Sequence, residues 1–239
     1  MPEPPKFVPF GPDHLAVLLL TVLAVAALII GRTRVRLVDD QWLRQGIAVL
    51  LIGNELLSWP IALAQGHVRL PLQFCDLALV LTAWALVSLR PSVSELAYFW
   101  GLAGSLQAVL TPDLNEPFPS YWWVKFFIGH CGIVLSVVYL AVTGRVQPTP
   151  WSVWRVFGWA NVYAAAAGLV NWMFGTNLGY LARKPMHPSL LDHFGPWPYY
   201  ILVLEGVALA SFFLYYAPFA LVLRWRSRAS VHEKPTKGS

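Results

Sequence analysis

Residues 121–143 read YWWVKFFIGHCGIVLSVVYLAVT, and this run decides the kind of fold. It is long enough to cross a bilayer, since a spanning helix needs about 20 mostly apolar residues. Yet Lys125 and His130 lie inside it, and ionisable groups in hydrocarbon are costly unless they face a protein interior or a cavity. The run therefore reads as one helix of a bundle, apolar toward lipid and polar toward its neighbours.

Six more apolar runs flank it, at 13–31, 41–64, 70–89, 94–112, 152–176 and 196–223. Trp100, Gln107 and several small residues dilute the run at 94–112. Hydrophobic residues make up 57% of the chain and charged residues 12%, about half the charge of a soluble domain. That excludes a soluble globular protein. The expected fold is all-α: a polytopic helix bundle with seven transmembrane helices, multi-pass in the cell membrane. Residues 1–223 would form one domain, and 224–239 (RWRSRASVHEKPTKGS) a basic, disordered cytoplasmic tail. No cleavable signal peptide is expected, because MPEPPKFVPFGPDH is Pro-rich rather than basic and the first run has spanning length.

Seven spans sort the Lys and Arg residues twelve to one side and five to the other. Cytoplasmic loops carry the excess, so the N-terminus is expected outside and the C-terminus in the cytoplasm. The net charge of +5 then reflects cytoplasmic loops and the basic tail, and no nucleic-acid partner is expected. One connection, NLGYLARKPMHPSLLDHFGP at 177–196, is long enough to fold over a cavity mouth.

Under this topology the polar residues share a depth. At 1.5 Å per residue, Cys75 lies roughly 8 Å and His130 roughly 14 Å below the outer ends of their helices. Glu55, Asp76, Gln107, Asn171 and Glu205 fall in the same outer half. Asn54, Glu55 and Ser58 share one helix face, as do Gln107 and Thr111. The inner half offers no comparable set of buried charges, which argues against an ion path across the whole bundle.

Two of these residues carry nucleophilic chemistry. Cys75, flanked by Gln73 and Asp76 at a helix start, needs a base to become the attacking thiolate. His130 is a residue that could take that proton and return it to a leaving group. A structural reading stands beside this one, with Cys75 as a small buried hydrophobe and His130 as a hydrogen-bonded core histidine. A Cys75–Cys131 disulfide is a further alternative. Glu55, Asp76 and Glu205 could pair with Lys125 or with amides such as Asn171, fixing the bundle. Asp113 in TPDLNEPFP reads as a turn residue beginning a loop. Arg183 and Lys184, at the outer interface, would attract a phosphodiester headgroup or simply snorkel. No HExxH or CxxC pair is present, so no metal and no cofactor is expected.

The runs LPLQFCDLAL, ELAYFWGLAGSLQAVLTPDL, FFIGH, NVYAAAAGLVNWMFGTN, YLARKP and LLDHFGPWPYYILVLE resemble the YwaF-type bacterial membrane proteins, which are related to the animal transmembrane protein 164 acyltransferases. The resemblance extends from about Phe10 to Phe219. It implies a lipid acyltransferase that moves a fatty acyl chain from a phospholipid to a lysophospholipid through a cysteine thioester. Its Cys falls on Cys75 and its His on His130. Asp76, Glu55 or Asn171 would orient the imidazole, and amides such as Gln73 would stabilise the oxyanion. The androgen-induced-type membrane hydrolases are distantly similar and use Thr and His, which keeps lipid hydrolysis open. A non-enzymatic transporter or binding bundle is the rival outside catalysis.

Overall fold

The computed structural model describes residues 6–35, 39–66, 71–186 and 189–232, and every regular element among them is helical. Each of the seven apolar runs carries one long helix. These are α1 (Pro12–Ile30), α2 (Gln41–Ala64), α3 (Phe74–Ser88), α4, α5 (Tyr121–Val142), α6 (Pro150–Phe174) and α7 (Tyr199–His232). The rod α4 is compound: Pro91–Trp100 passes through a π-helical turn, Gly101–Leu106, into Gln107–Leu110. Four helices, α1, α2, α5 and α7 over Tyr199–Leu223, are long and apolar enough to cross a membrane. The chain is thus a helical membrane protein.

The boundaries have local causes. α3 starts later than its apolar run because Asp76 turns back to accept the Gln73 N–H at 3.0 Å, fixing the first turn. It stops at Ser88, where Leu89 adopts a left-handed conformation (φ 52°). Pro91 then opens α4 at a position where its missing N–H costs nothing. α7 runs past Leu223 to His232, and residues 233–239 lie outside the described residues. Arg36, Arg69, Lys234 and Lys237, which entered the charge count, also lie outside them.

α4 sits at the centre, packed against α3, α5 and α6, with α7 against its π turn. Ala97, Phe99 and Gly101 on α4 meet Ala78, Ala85 and Leu86 of α3 and Val137 and Leu140 of α5 in one buried core. Gly101 permits a close approach of α4 to α5, because a Cβ there would come within 2.9 Å of Ile133. Peripheral helices present the opposite face. Leu15, Leu19 and Leu20 on α1 and Leu202, Leu214 and Leu221 on α7 are exposed, the pattern of a bundle whose outside is lipid-facing.

One sequence expectation is corrected here. The end of the bundle away from Cys75 does hold buried charges. Asp40 and Arg44 are both buried; Arg44 Nε donates to Asp40 at 3.0 Å, Arg145 donates at 2.9 Å and the Tyr139 hydroxyl also donates. Arg44 reaches on to the Leu86 carbonyl, and nearby Glu95 pairs with Arg155. Arg44, Glu95 and Arg155 lie inside apolar runs and read there as end-of-helix charges, while their partners Asp40 and Arg145 stand just outside the runs and fold inward.

Candidate functional site

Asp76 sets the first turn of α3, which makes Cys75 the second residue of that helix. The Gln73 side chain turns away from the helix and accepts from the Gly179 N–H at 2.9 Å. Across from Cys75 lies the π turn of α4. A Cβ on Gly104 would stand 3.0 Å from the Phe74 ring and 3.3 Å from Cys75 Sγ. Glycine there lets a backbone approach the thiol that no other residue would allow without a shift.

His130, on α5, is held by its own helix. Its Nδ1 lies 2.8 Å from the Phe126 carbonyl one turn earlier, and the Phe126 ring covers it at 4.1 Å between centroids. A carbonyl only accepts, so Nδ1 carries the hydrogen and Nε2 of the neutral ring keeps a lone pair. The partner at Nδ1 is thus a backbone carbonyl rather than one of the carboxylates or the amide expected to orient the ring.

Cys75 and His130 line one cavity of about 530 Å³, together with Glu55, Gln73, Asp76, Gln107, Asp113 and Glu205. This lies within the ~300–1,000 Å³ typical of small-molecule pockets. Leu79, Ile133, Ala160, Ala164, Leu204, Ala208 and Phe212 make its apolar wall. Tyr180, Leu181 and Pro185, with Leu190 and Phe194 farther along the same connection, close one side.

The polar lining residues are individually placed. Glu55 pairs with Lys125 at 2.6 Å, and Asn54 donates to the Lys125 carbonyl at 3.0 Å, so α2 and α5 are tied together at the cavity wall. Gln107 donates to Thr111 at 2.8 Å. Asn161 on α6 donates to Glu205 on α7 at 3.1 Å. Asp113 accepts from the Tyr180 hydroxyl at 2.8 Å. Burial first, then the Asp113 carboxylate and Cys75, push the Tyr180 phenol up from its usual value, so it stays a hydrogen donor. Tyr180 also holds a left-handed backbone (φ 56°), pinned by the Tyr200 hydroxyl on its carbonyl at 2.5 Å.

Three predicted residues stand outside the cavity lining. Asn171 is buried as a brace: its side chain accepts from Thr176 and the Leu178 N–H, both at 2.7 Å, and donates to the Leu178 carbonyl at 3.0 Å. Lys184 reaches the Asp192 carbonyl at 3.4 Å and lies over the Tyr200 ring, while the Arg183 backbone is held by Asn177. Both cysteines are free thiols, and Cys131 faces α1, where Thr21 donates to its sulfur at 3.4 Å. Among the described residues no group of three or more His, Cys, Asp or Glu could hold a metal ion.

Sequence reasoning missed Gly104, Tyr163 and Tyr180 as parts of the site. Tyr163 donates to the Leu72 carbonyl at 3.1 Å and sets its ring edge against Phe74, supporting the start of α3 from α6. It also missed His14, which is fully buried and joins the Phe10 N–H (2.9 Å) to the Val109 carbonyl (2.8 Å). A histidine two residues after a Pro at a helix start was the available signal.

These features define a helical membrane protein with a thiol and an imidazole on one cavity among its helices. The family model of the TMEM164 family matches residues 9–216, and the chain belongs to that family. An uncharacterized protein of Treponema pallidum (strain Nichols) is 28% identical over 217 residues, covering 89% of this chain and 90% of the relative. No solved structure matches the chain.

Proposed function

We propose that this protein is a seven-span lipid acyltransferase of the cell membrane, N-terminus outside, using Cys75 as nucleophile and His130 as base. The observation that carries the reading is the shared cavity: a thiol in the first turn of α3 and an imidazole whose Nδ1 is held by the Phe126 carbonyl, which makes Nε2 the acceptor nitrogen of the neutral ring. The first turn of a helix presents unpaired N–H groups and the positive end of the macrodipole, which favour an anion beside them. The apolar wall suits an acyl chain.

The chemistry runs in two halves. His130 Nε2 takes the Cys75 proton, and the thiolate adds to the ester carbonyl of a phospholipid. The tetrahedral adduct collapses by breaking the carbon–oxygen ester bond; the lysolipid alkoxide leaves with the proton from His130, and a thioester remains on Cys75. A second lysolipid hydroxyl then gives its proton to His130 and adds to the thioester. Collapse releases the Cys75 thiolate, which recovers the proton. Both halves need one base that changes role, which a neutral imidazole supplies.

The test uses purified protein with a phospholipid carrying a labelled acyl chain and an unlabelled lysophospholipid. Label moving to the lysolipid with wild type, and with neither Cys75→Ala nor His130→Ala, is the expected result. Labelled free fatty acid alone would make the protein a hydrolase. Absence of turnover across phospholipid headgroups would leave the cavity as a binding site for transport.

A further inference from the structure

A phospholipid on this cavity must place a phosphodiester, and the residues expected to meet it, Arg183 and Lys184, do not line the cavity. Among the described lining residues the one Lys or Arg is Lys125. Its side chain is 11% exposed, and it emerges beside Glu55, itself 10% exposed. The remaining lining carboxylates accept from neutral donors: Asp76 from the Gln73 N–H, Asp113 from Tyr180 and Glu205 from Asn161. The cavity therefore meets an anion with a single cation.

The position of that cation matches the order of groups in a glycerolipid. Lys125 precedes His130 by five residues on α5, about 7.5 Å along the axis, toward the start of that helix. The phosphate of a glycerophospholipid lies farther from the acyl tail than the ester carbonyl does. A lipid with its ester at Cys75 and His130 and its tail on the apolar wall would bring its phosphate to Lys125.

We propose that Lys125, held ready in the wall by Glu55, is the residue that receives the substrate's phosphate and selects phosphate-bearing glycerolipids over neutral ones. The proposal rests on the acyl-transfer reading for the placement of the ester. Glu55, 2.6 Å away, supplies the counter-charge of the ammonium in an otherwise apolar wall. With substrate the ammonium is shared between Glu55 and the phosphate oxygens.

Binding rather than turnover tests this, so the Cys75→Ala protein is used throughout. Purified protein is equilibrated with equal amounts of lysophosphatidylethanolamine and a monoacylglycerol of the same chain, and the retained lipids are quantified. A preference for the phospholipid is expected, kept by Lys125→Arg and reduced roughly ten- to hundredfold by Lys125→Gln. Because Lys125→Gln strands a buried carboxylate and could lower folding yield, the double variant Glu55→Gln/Lys125→Gln removes both charges together. It should fold and lose the preference to the same degree. Equal retention of the two lipids by the parent protein, or an unchanged preference in the double variant, would overturn the proposal. A Lys125-dependent preference, found together with no acyl transfer by the protein that keeps Cys75, would sink the catalytic reading and leave the phosphate site standing.

Discussion

The two ends of this bundle both bury charge, and they do so to opposite effect. Around Asp40, the hydrogen bonds of Arg44, Arg145 and Tyr139 converge on one carboxylate. Around Cys75, the polar groups stand apart on the wall of a 530 Å³ cavity, each tied to its own neighbour. Buried polarity that closes on itself fixes helices to one another. Buried polarity arranged around empty space is where a ligand can be handled, so the cavity distinguishes a site from a brace.

Substitutions at the two ends should therefore separate activity from stability. The largest effect is expected from Cys75→Ala, which should lower acyl transfer by at least about a thousandfold and leave the melting temperature in detergent nearly unchanged. A variant that retains transfer would dissolve the contrast, since the thiol would then be only packing. Asp40→Ala should act the other way. It leaves buried guanidinium charge without its carboxylate and should cost about 3 kcal/mol of stability, with the transfer rate per folded molecule preserved.

The same carboxylate gives the contrast a pH dependence. Burial works against the Asp40 charge, but hydrogen bonds from Tyr139, Arg44 and Arg145 outweigh it and hold the carboxyl below its ordinary 3.8. Its contribution is thus complete above the unfolded-state value and fades as pH falls through the lower folded-state value. Thermal unfolding followed from about pH 6 down to about pH 3 should show an acid-side loss that Asp40→Ala flattens.

Two smaller effects sharpen the cavity side. Gly104→Ala would press a methyl to 3.0 Å from the Phe74 ring and 3.3 Å from Cys75 Sγ. A displacement of a few tenths of an ångström at the nucleophile should slow transfer roughly tenfold, measured as kcat with little change in melting temperature. Tyr180→Phe removes the hydrogen bond to Asp113, worth about 1 kcal/mol. Faster amide exchange confined to residues 177–194 is the expected readout, and exchange spread across the bundle would show that the loop is not an independent cover.

Much of this was legible in the chain. Each hydrophobic run carries helix, because burial and lipid exposure demand the same residue types along a rod, and four of these helices are long and apolar enough to cross a membrane. The grouping of Cys75, His130, Glu55 and Asp76 followed from depth alone, since rise per residue is fixed. Rotation about each axis was harder to read. Asn171 shares the depth of the site but turns into the 176–178 bend, and Lys184 turns onto Tyr200. The Asp40 cluster was missed for a different reason: Asp40 and Arg44 meet Tyr139 and Arg145 from a sequence-distant stretch, although the Asp40–Arg44 spacing is that of a helical ion pair.

Nothing in residue types marks Gly101–Leu106 as a π turn, yet that turn sets the phase of everything after it. A π turn bonds i to i+5 and holds one residue more than an α turn. Gln107, Ala108 and Thr111 are thereby rotated about 100° from where an unbroken α-helix would carry them. Deleting one residue within the segment would shorten the rod by only about 1.5 Å, but would swing this stretch of wall more than a quarter turn. Chains one residue shorter at this point would keep the bundle and the thiol and enclose a differently shaped space, which makes insertion and deletion here a dial on what the cavity accepts.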